Sequence, residues 1–357
     1  MTEELIALGW DEDWAAALAR FDDRYEDARP ARVIAQHRDR WVIRTADGTT
    51  PARIVRGDSV DGRPVTGDWV VTRPGPEAAD PWEILAVLPR RSAIRRGTAG
   101  ASHGEQILAA NVDRLWIVQA LDTQPNLRRL ERFLAIGWES GASPEIVLTK
   151  SDLSDDPARA LADVSEIAVG VPTWVVSVED HAALEKLEQS LRPGRTVALL
   201  GPSGAGKSTL VNRLAHSDVA ETAEVRAGDR KGRHTTTGRE LFPLRNGALL
   251  LDTPGMRELR VLDVSEGLSR TFPEVEELAL TCRFSDCTHS TEPGCAVLAA
   301  VEHGSLPQER LDSYRKLLAE AAFERRKVDP VARAAYVADF KTAMKTMKHH
   351  LKHQRRD

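Results

Sequence analysis

The segment GPSGAGKST, residues 201–209, fits the phosphate-loop pattern G-x-x-x-x-G-K-[ST]. The apolar run VALL precedes it and TLVNRLA follows it, so the sequence predicts the strand, loop and helix that this pattern needs. Glycines let the backbone curl until successive N–H groups surround an anion, and the helix amino terminus adds positive potential. We expect Lys207 to reach the β- and γ-phosphates and the Ser208 hydroxyl to bind Mg²⁺. The predicted nucleotide-binding residues of this loop are Gly201, Pro202, Ser203, Gly204, Ala205, Gly206, Lys207, Ser208 and Thr209.

A second motif, TKSD at residues 149–152, indicates that the base is guanine. It is similar to the [NT]-K-x-D element of GTPases, in which the aspartate accepts two hydrogen bonds from guanine N1 and the exocyclic amine. Adenine has no such pair of donors, so Asp152 would be left without partners against it. We expect Lys150 to lie along the base and Thr149 to brace the loop. Thr149, Lys150, Ser151 and Asp152 therefore all belong to the predicted GTP site.

A third motif, LLLDTPGM at residues 249–256, is typical of a nucleotide switch. Asp252 ends a hydrophobic strand, where its carboxylate can help to hold Mg²⁺ through water, and Gly255 can donate its N–H to a γ-phosphate. The order along the chain is base-reading loop, phosphate loop and then switch, which is a circular permutation of the usual GTPase order. One site can still form, because the loops after parallel strands converge at the carboxyl edge of a sheet.

The hydrophobic pattern divides the chain into four segments. Apolar residues at helical spacing predict a helical segment at the amino terminus. Short β-rich runs such as WVIRT and ARIV, separated by Gly and Asp turns, favour a small β-barrel, for which we expect an OB-fold. Alternating strands and helices then predict an α/β domain with a parallel sheet, and the last segment is mostly helical with a basic tail. The predicted bounds are residues 1–30, 31–90, 100–264 and 265–357.

The chain has only 3 cysteines, and all of them lie in CRFSDCTHSTEPGCAV. An odd number of cysteines argues against a disulfide framework. Cys282, Cys287, His289 and Cys295 together provide the Cys₃His ligand set of a tetrahedral zinc site. Because four protein ligands leave no open position, we expect one zinc ion with a structural role and not a catalytic one.

The composition argues against a membrane protein or a secreted one. No window approaches the ~18 uncharged apolar residues of a membrane span, and MTEELIALGWDEDW lacks the apolar core of a signal peptide. We therefore expect a cytoplasmic monomer with no membrane partner. The net charge is −5, so any contact with nucleic acid must come from local basic patches. The candidate patches are residues 89–96, residues 225–234 and the tail from residue 323, each of which could instead be a solvated face.

Together these motifs resemble the circularly permuted ribosome biogenesis GTPases of the RsgA family. The matching segments follow the family's order over nearly the whole chain: the β-barrel, QILAANVDRLWIV, TKSD, GPSGAGKST, GRHTTT, DTPGM and CRFSDCTHSTEPGCAV. The resemblance implies GTP hydrolysis that the small (30S) ribosomal subunit stimulates during its late maturation, with 16S rRNA as the main contact. One loop departs from the family. Relatives often have Ser-Ala followed by glycines where this chain has SVEDHAAL, and there the Ser177 backbone is a candidate to cover guanine O6.

Hydrolysis also needs a residue that orients the attacking water. Many GTPases have a glutamine after DTPG, but this chain has Met256, whose thioether cannot do that work. The resemblance points to His234 in GRHTTT as the catalytic replacement, and the alternative is a switch histidine that touches rRNA. Thr236 is our preferred hydroxyl ligand of Mg²⁺, although its two threonine neighbours fit the pattern equally well.

Two other classes of function stay open. In the first, the protein is a non-catalytic RNA-binding assembly factor that keeps GTP as a structural ligand; GTP turnover with and without small subunits separates this class from a GTPase. In the second, it is a P-loop ATPase or a small-molecule kinase, which would prefer ATP. TKSD and DTPG argue against this second class.

Overall fold

The computed structural model consists of two compact units, which we describe separately. One unit comprises Met1–Arg95 with Ile107–Leu259, and the other comprises Arg96–Gln106 with Arg260–Asp357. The structure describes residues 2–21, 24–25, 27–37, 40–54, 62–77, 79–97, 105–215, 239–252, 265–338, 341 and 344.

The first unit begins with two short helices and a β-barrel. The barrel strands follow the order β1-β2-β3-β5-β4, and β4 returns to pair with β1, which closes the ring. In β2 the side chains of Trp41 and Ile43 alternate with more exposed ones and enter the core, as expected for a strand with one buried face. The predicted amino-terminal β-barrel is therefore confirmed. Its elements are α1 (Glu3–Ala7), α2 (Glu12–Ala19), β1 (Arg29–His37), β2 (Arg40–Thr45), β3 (Gly48–Ile54), β4 (Trp69–Arg73) and β5 (Trp82–Val87).

The predicted α/β domain follows the barrel in the same unit and is also confirmed. Strands β10-β9-β8-β11-β13 run parallel in that order, and β12 pairs antiparallel with β13. Strand β11 is buried along its whole length, because a central parallel strand has both faces covered. The elements of this domain are β8 (Arg114–Ala120), α3 (Leu127–Glu139), β9 (Ser143–Thr149), a 3₁₀ turn (Ser151–Leu153), α4 (Pro157–Ile167), β10 (Thr173–Val175), α5 (His181–Ser190), β11 (Thr196–Leu200), α6 (Lys207–Ala215), β12 (Arg239–Pro243) and β13 (Leu249–Asp252). Strands β6 (Ala93–Gly97) and β7 (Glu105–Ala110) precede them in the chain and form a separate two-stranded sheet.

The barrel and the α/β sheet share one continuous hydrogen-bonded ladder. Strand β1 pairs antiparallel with β12, with Ala35 opposite Glu240 and Gln36 opposite Arg239. Strand β1 is therefore a barrel strand and also the neighbour of the outermost strand of the α/β sheet. The sequence did not predict this pairing.

A buried arginine strengthens the same junction. The Arg32 side chain is 2% exposed, and its guanidinium donates to the carbonyl oxygens of Leu8, Gly67 and Asn111 and to the Thr196 hydroxyl. Burial lowers the pKa of Arg32 to about 10. Since these acceptors come from the amino-terminal segment, the barrel and the α/β sheet, this one side chain ties three parts of the unit together.

The second unit is mostly helical, as predicted. Phe272 is fully buried, and its ring meets Tyr314 edge to face with centroids 5.5 Å apart. Arg310 pairs with Glu274 at 2.6 Å and covers the Phe272 ring. In the described part of the chain, no helix is long and apolar enough to cross a membrane. The helices are α7 (Ser265–Thr271), α8 (Pro273–Ala279), α9 (Ala296–Glu302) and α10 (Gln308–Val328), and residues 330–338 are helical as well.

Candidate nucleotide site and metal centre

The predicted base-reading and phosphate loops lie at the same edge of the parallel sheet. TKSD comes at the end of β9, and GPSGAGKST follows β11 directly. One strand, β8, lies between β9 and β11 and pairs in parallel with both. Both loops therefore begin at the carboxyl edge, where α/β sheets bind their ligands.

A buried hydrogen bond joins the two loops. The Thr149 hydroxyl donates to the carbonyl oxygen of Ala205 over 2.7 Å, although the two residues are 56 positions apart in the chain. A Cβ added to Gly206 would lie 3.4 Å from the Thr149 hydroxyl oxygen, so the loops pass each other closely. The structure therefore brings together the two segments that the sequence assigned to one GTP site.

The phosphate loop has the backbone geometry that its glycines allow. Gly204 and Gly206 have φ angles of +80° and +84°, in the left-handed region. At Gly201 a Cβ would lie 2.3 Å from the carbonyl oxygen of Val118, which leaves no room for a side chain. The Lys207 ammonium group at the start of α6 donates to the carbonyl oxygens of Gly201 over 2.8 Å and of Pro202 over 2.6 Å. It therefore lies over the loop, and the amino terminus of α6 provides positive potential for an anion.

In the base-reading loop, Asp152 is exposed and Lys150 has a φ angle of +56°. The Ser177 hydroxyl donates to the Asp152 carboxylate over 2.5 Å. The Lys150 ammonium group pairs with the Asp122 carboxylate at 2.6 Å. Asp122 was not among the predicted site residues, and Ser177 was a candidate only for its backbone. Asp122 comes just after β8 and Ser177 just after β10, so both residues lie at the carboxyl edge of the sheet. Their positions directly after predicted strands could have identified them from the sequence.

The predicted switch residues are described only in part. Asp252 is the last residue of β13, opposite Glu240 of β12, and β13 pairs with β11. The backbone of Asp252 therefore lies at the same carboxyl edge as the phosphate loop. His234, Thr236 and Gly255 lie outside the described residues.

The four predicted metal ligands form one cluster in the helical unit. The ligand atoms of Cys282, Cys287, His289 and Cys295 all lie within 4.8 Å of one another. The His289 Nδ1 atom is 3.6 Å from the Cys282 sulfur and 3.5 Å from the Cys295 sulfur, and these two sulfurs are 3.8 Å apart. Tetrahedral zinc with its usual bond lengths requires about 3.8 Å between sulfurs and about 3.5 Å between sulfur and nitrogen. The residues therefore fit zinc in both identity and spacing.

The surroundings of the cluster also favour a cation. Burial opposes ionisation of Cys282, but the N–H groups of Ala296 and Val297 at the start of α9 donate to its sulfur and hold the pKa of this thiol below its usual value. Burial and the neighbouring thiols raise the pKa of Cys287 to about 11. Burial lowers the pKa of His289, which keeps the imidazole neutral, as a metal ligand must be. A divalent cation would supply the positive charge that lets three thiolates lie together.

Comparison with known proteins identifies relatives of this chain. The sequence pattern of the RsgA GTPase family matches residues 87–262. A protein of Methanosarcina acetivorans named small ribosomal subunit biogenesis GTPase RsgA is 42% identical over 322 residues, which cover 90% of this chain and 86% of that protein. A protein of Streptomyces coelicolor with the same name is 43% identical over 347 residues, which cover 94% and 92% of the two chains. The chain belongs to the RsgA GTPase family. It is therefore a GTPase, with the motif order of a circular permutation.

Two solved structures share the fold of this chain. The crystal structure of YjeQ from Thermotoga maritima aligns with a TM-score of 0.61 and 24% identity, covering 82% of this chain and 98% of that one. The crystal structure of YloQ, described as a circularly permuted GTPase, aligns with a TM-score of 0.59 and 24% identity, covering 84% of this chain and 96% of that one. The resemblance to the RsgA family that the motifs indicated is thus confirmed, together with the three-part fold.

Proposed function

We propose that this GTPase acts in the cytoplasm in late maturation of the small ribosomal subunit, where it binds 16S rRNA and hydrolyses GTP to GDP and phosphate. The observation that carries the nucleotide part is the 2.7 Å hydrogen bond from Thr149 to Ala205, which holds a base-reading loop against a phosphate loop. The names of the curated relatives support the ribosomal part.

We infer the following roles for the residues of the GTP site. The phosphate-loop N–H groups and Lys207 bind the β- and γ-phosphates, and the Asp152 carboxylate accepts hydrogen bonds from guanine. Ser208 and Thr236 would hold Mg²⁺, with Asp252 acting through water, and the ion would supply positive charge to the phosphate oxygens. The remaining nucleotide contacts come from Thr149, Lys150, Ser151 and the rest of residues 201–209, with the Gly255 N–H on the γ-phosphate.

The chemical step is the attack of water on the γ-phosphorus. His234 accepts a hydrogen bond from this water and orients it, the new P–O bond forms, and the bond to the β–γ bridging oxygen breaks with its electrons leaving on GDP. Both protons of the water stay with the new inorganic phosphate, which leaves as dihydrogen phosphate. The proposal for His234 rests on the family resemblance and on the unsuitable thioether of Met256.

Stimulation by the ribosome has a physical route in the described residues. Strand β12 begins at Arg239, a few positions after His234 and Thr236, and it pairs with the barrel strand β1. Backbone hydrogen bonds therefore link the barrel to the strand that follows the segment with His234 and Thr236, which we call the switch segment. We propose that rRNA contact with the barrel completes the catalytic site through this strand, and that turnover of the free protein is slow because the site is incomplete without the partner.

The metal centre has a different part in this proposal. Zinc bound by Cys282, Cys287, His289 and Cys295 would stabilise the helical region, and four ligands exclude a catalytic position. We also propose a division of the chain into four functional parts. They are a helical segment (residues 1–30), an OB-fold barrel (residues 31–90), a GTPase domain (residues 100–264) and a zinc domain with a basic tail (residues 265–357).

GTP hydrolysis with purified ribosomal subunits tests this function. We expect the 30S subunit to raise turnover and the large subunit to leave it unchanged. His234→Ala should lose the stimulated turnover and keep GTP binding, since the histidine contacts water and not the nucleotide. If GTP binds tightly but 30S subunits never raise turnover, the protein is instead an RNA-binding assembly factor with GTP as a structural ligand. An unchanged stimulated kcat in His234→Ala would refute the role of the histidine alone.

A further inference from the structure

One carboxylate organises the loop that carries His289. The Glu292 Oε1 atom accepts hydrogen bonds from the Thr288 N–H over 3.0 Å and from the Thr288 hydroxyl, and Oε2 accepts from the N–H groups of Ser290 over 2.7 Å and Thr291 over 2.9 Å. The backbone on both sides of His289 is therefore bonded to a single side chain. Both carboxylate oxygens are occupied by donors, so Glu292 is not itself placed as a metal ligand.

The conformation of His289 explains why such support is needed. Its φ angle is +57°, in the left-handed region, which is unfavourable for a residue with a Cβ. In this conformation Nδ1 lies 3.6 Å from the Cys282 sulfur and 3.5 Å from the Cys295 sulfur. A relaxed φ angle would turn the imidazole away from both sulfurs.

We propose that Glu292 is the positioning residue of the metal centre. Its carboxylate holds residues 288–291 in the conformation that presents His289 to zinc, and it acts through the backbone without touching the ion. This inference rests on the zinc site proposed above. It predicts that the loss of the Glu292 carboxylate weakens metal binding by removing the imidazole from the ligand set, while the three thiolates stay available.

Cobalt(II) substitution in the full-length protein provides the test, with Asp286→Asn as the matched control. Glu292→Gln and Asp286→Asn each remove one negative charge. Asp286 is exposed and adjacent to Cys287, and among the described residues the carboxylate hydrogen bonds to residues 288–291 come from Glu292 and not from Asp286. We expect Glu292→Gln to weaken binding by about 10- to 100-fold, as is usual when a partner of a metal ligand is lost. Its cobalt d–d bands should shift as well, because the nitrogen ligand is replaced by water. Asp286→Asn should bind within about twofold of the unmodified protein and keep its spectrum.

A second pair of variants covers the case in which Glu292→Gln does not fold. Thr288→Val removes one hydroxyl donor to Glu292, whereas Thr288→Ser keeps it. We expect weaker cobalt binding in the valine variant than in the serine variant. Cobalt affinity and spectrum in Glu292→Gln that match those of Asp286→Asn would overturn the proposal, as would equal affinities in the two Thr288 variants. Failure of the unmodified protein to bind cobalt or zinc would instead overturn the zinc site itself.

Discussion

Thr149→Val is the most direct perturbation of the GTP site, because it removes one hydrogen bond and little else. Valine has nearly the shape of threonine, so packing at this buried position is kept, while the donor to the Ala205 carbonyl is lost. That hydrogen bond is the direct link between the base-reading loop and the phosphate loop. The variant therefore asks whether the link organises the nucleotide site.

The magnitude follows from the environment of the bond. Ala205 is buried, so its carbonyl oxygen is left without this donor unless the loop moves to admit water. An unsatisfied buried acceptor costs about 1–3 kcal/mol. If the loop keeps its position, the loss appears in the free energy of unfolding. If the loop relaxes, nucleotide binding must restore its conformation. Each 1.4 kcal/mol that this costs weakens nucleotide affinity about tenfold.

The assay measures both quantities on the same protein. Urea unfolding gives the change in stability, and titration with a fluorescent GDP analogue and a fluorescent GTP analogue gives the affinities. We expect stability and affinity together to lose about 1–3 kcal/mol, with GDP and GTP affected equally because the bond does not lie at the γ-phosphate. Thr149→Ser keeps the hydroxyl and serves as the control, with a smaller loss.

Two results would refute this reasoning. If Thr149→Val changed neither the unfolding free energy nor the GDP affinity, the hydrogen bond between the loops would not organise the site. If Thr149→Ser were as damaging as Thr149→Val, the lost methyl contact and not the hydroxyl would explain the effect.

Three further predictions concern single positions. Gly201→Ala should abolish nucleotide binding, since its Cβ would lie 2.3 Å from a carbonyl oxygen. Gly204→Ala has open space for its Cβ and should lose only about 1–2 kcal/mol of stability, because its φ angle is positive. Equal effects of the two substitutions on nucleotide binding would contradict this prediction. Asp152→Asn should weaken GTP in competition with ATP while Asp155→Asn does not, and unchanged competition would remove Asp152 from base recognition. Hydrogen bonds from an arginine hold the pKa of Asp11 in the folded protein below its usual value. The ionised carboxylate therefore stabilises the fold at pH values above the pKa of the unfolded chain, which is near 4. This stabilisation is lost as the pH falls through the pKa of the folded protein. The stability gap between the unmodified protein and Asp11→Asn should be at most about 1 kcal/mol at pH 7 and should close in acid, and a gap that persists there would contradict the assignment.

Much of the fold and of the candidate site could be predicted from short sequence motifs and from the spacing of apolar residues. The phosphate loop was predictable because its glycines, lysine and serine act within nine consecutive residues and between a strand and a helix. The metal cluster was predictable for the same reason, since Cys282 and Cys295 are close in sequence and short chain segments can bring them together. The barrel and the α/β domain followed from periodicity, because the spacing of apolar residues reports which face of a strand or helix is buried.

Contacts between residues that are far apart in the chain could not be predicted from motifs or periodicity. Periodicity identifies β1 and β12 as strands but not as neighbours, because pairing depends on competition among all strand edges in the folded chain. It also could not show that Arg32, in a β-rich run, would be buried among carbonyl groups from three parts of the unit. The hydroxyl of Ser177 could be assigned to Asp152 only once β10 and β9 were known to be adjacent.

The sequence by itself thus determined the chemical groups of this protein: a glycine-rich loop that we propose binds phosphate, a carboxylate that we propose reads guanine, and three thiols with an imidazole. Only the tertiary structure decided that Thr149 meets Ala205, that the barrel pairs with the strand after the switch segment, and that Glu292 holds the His289 loop. The physical reason is that residue types and spacing specify which bonds a segment can make. The bonds that form depend on distances and directions that exist only when distant segments pack together.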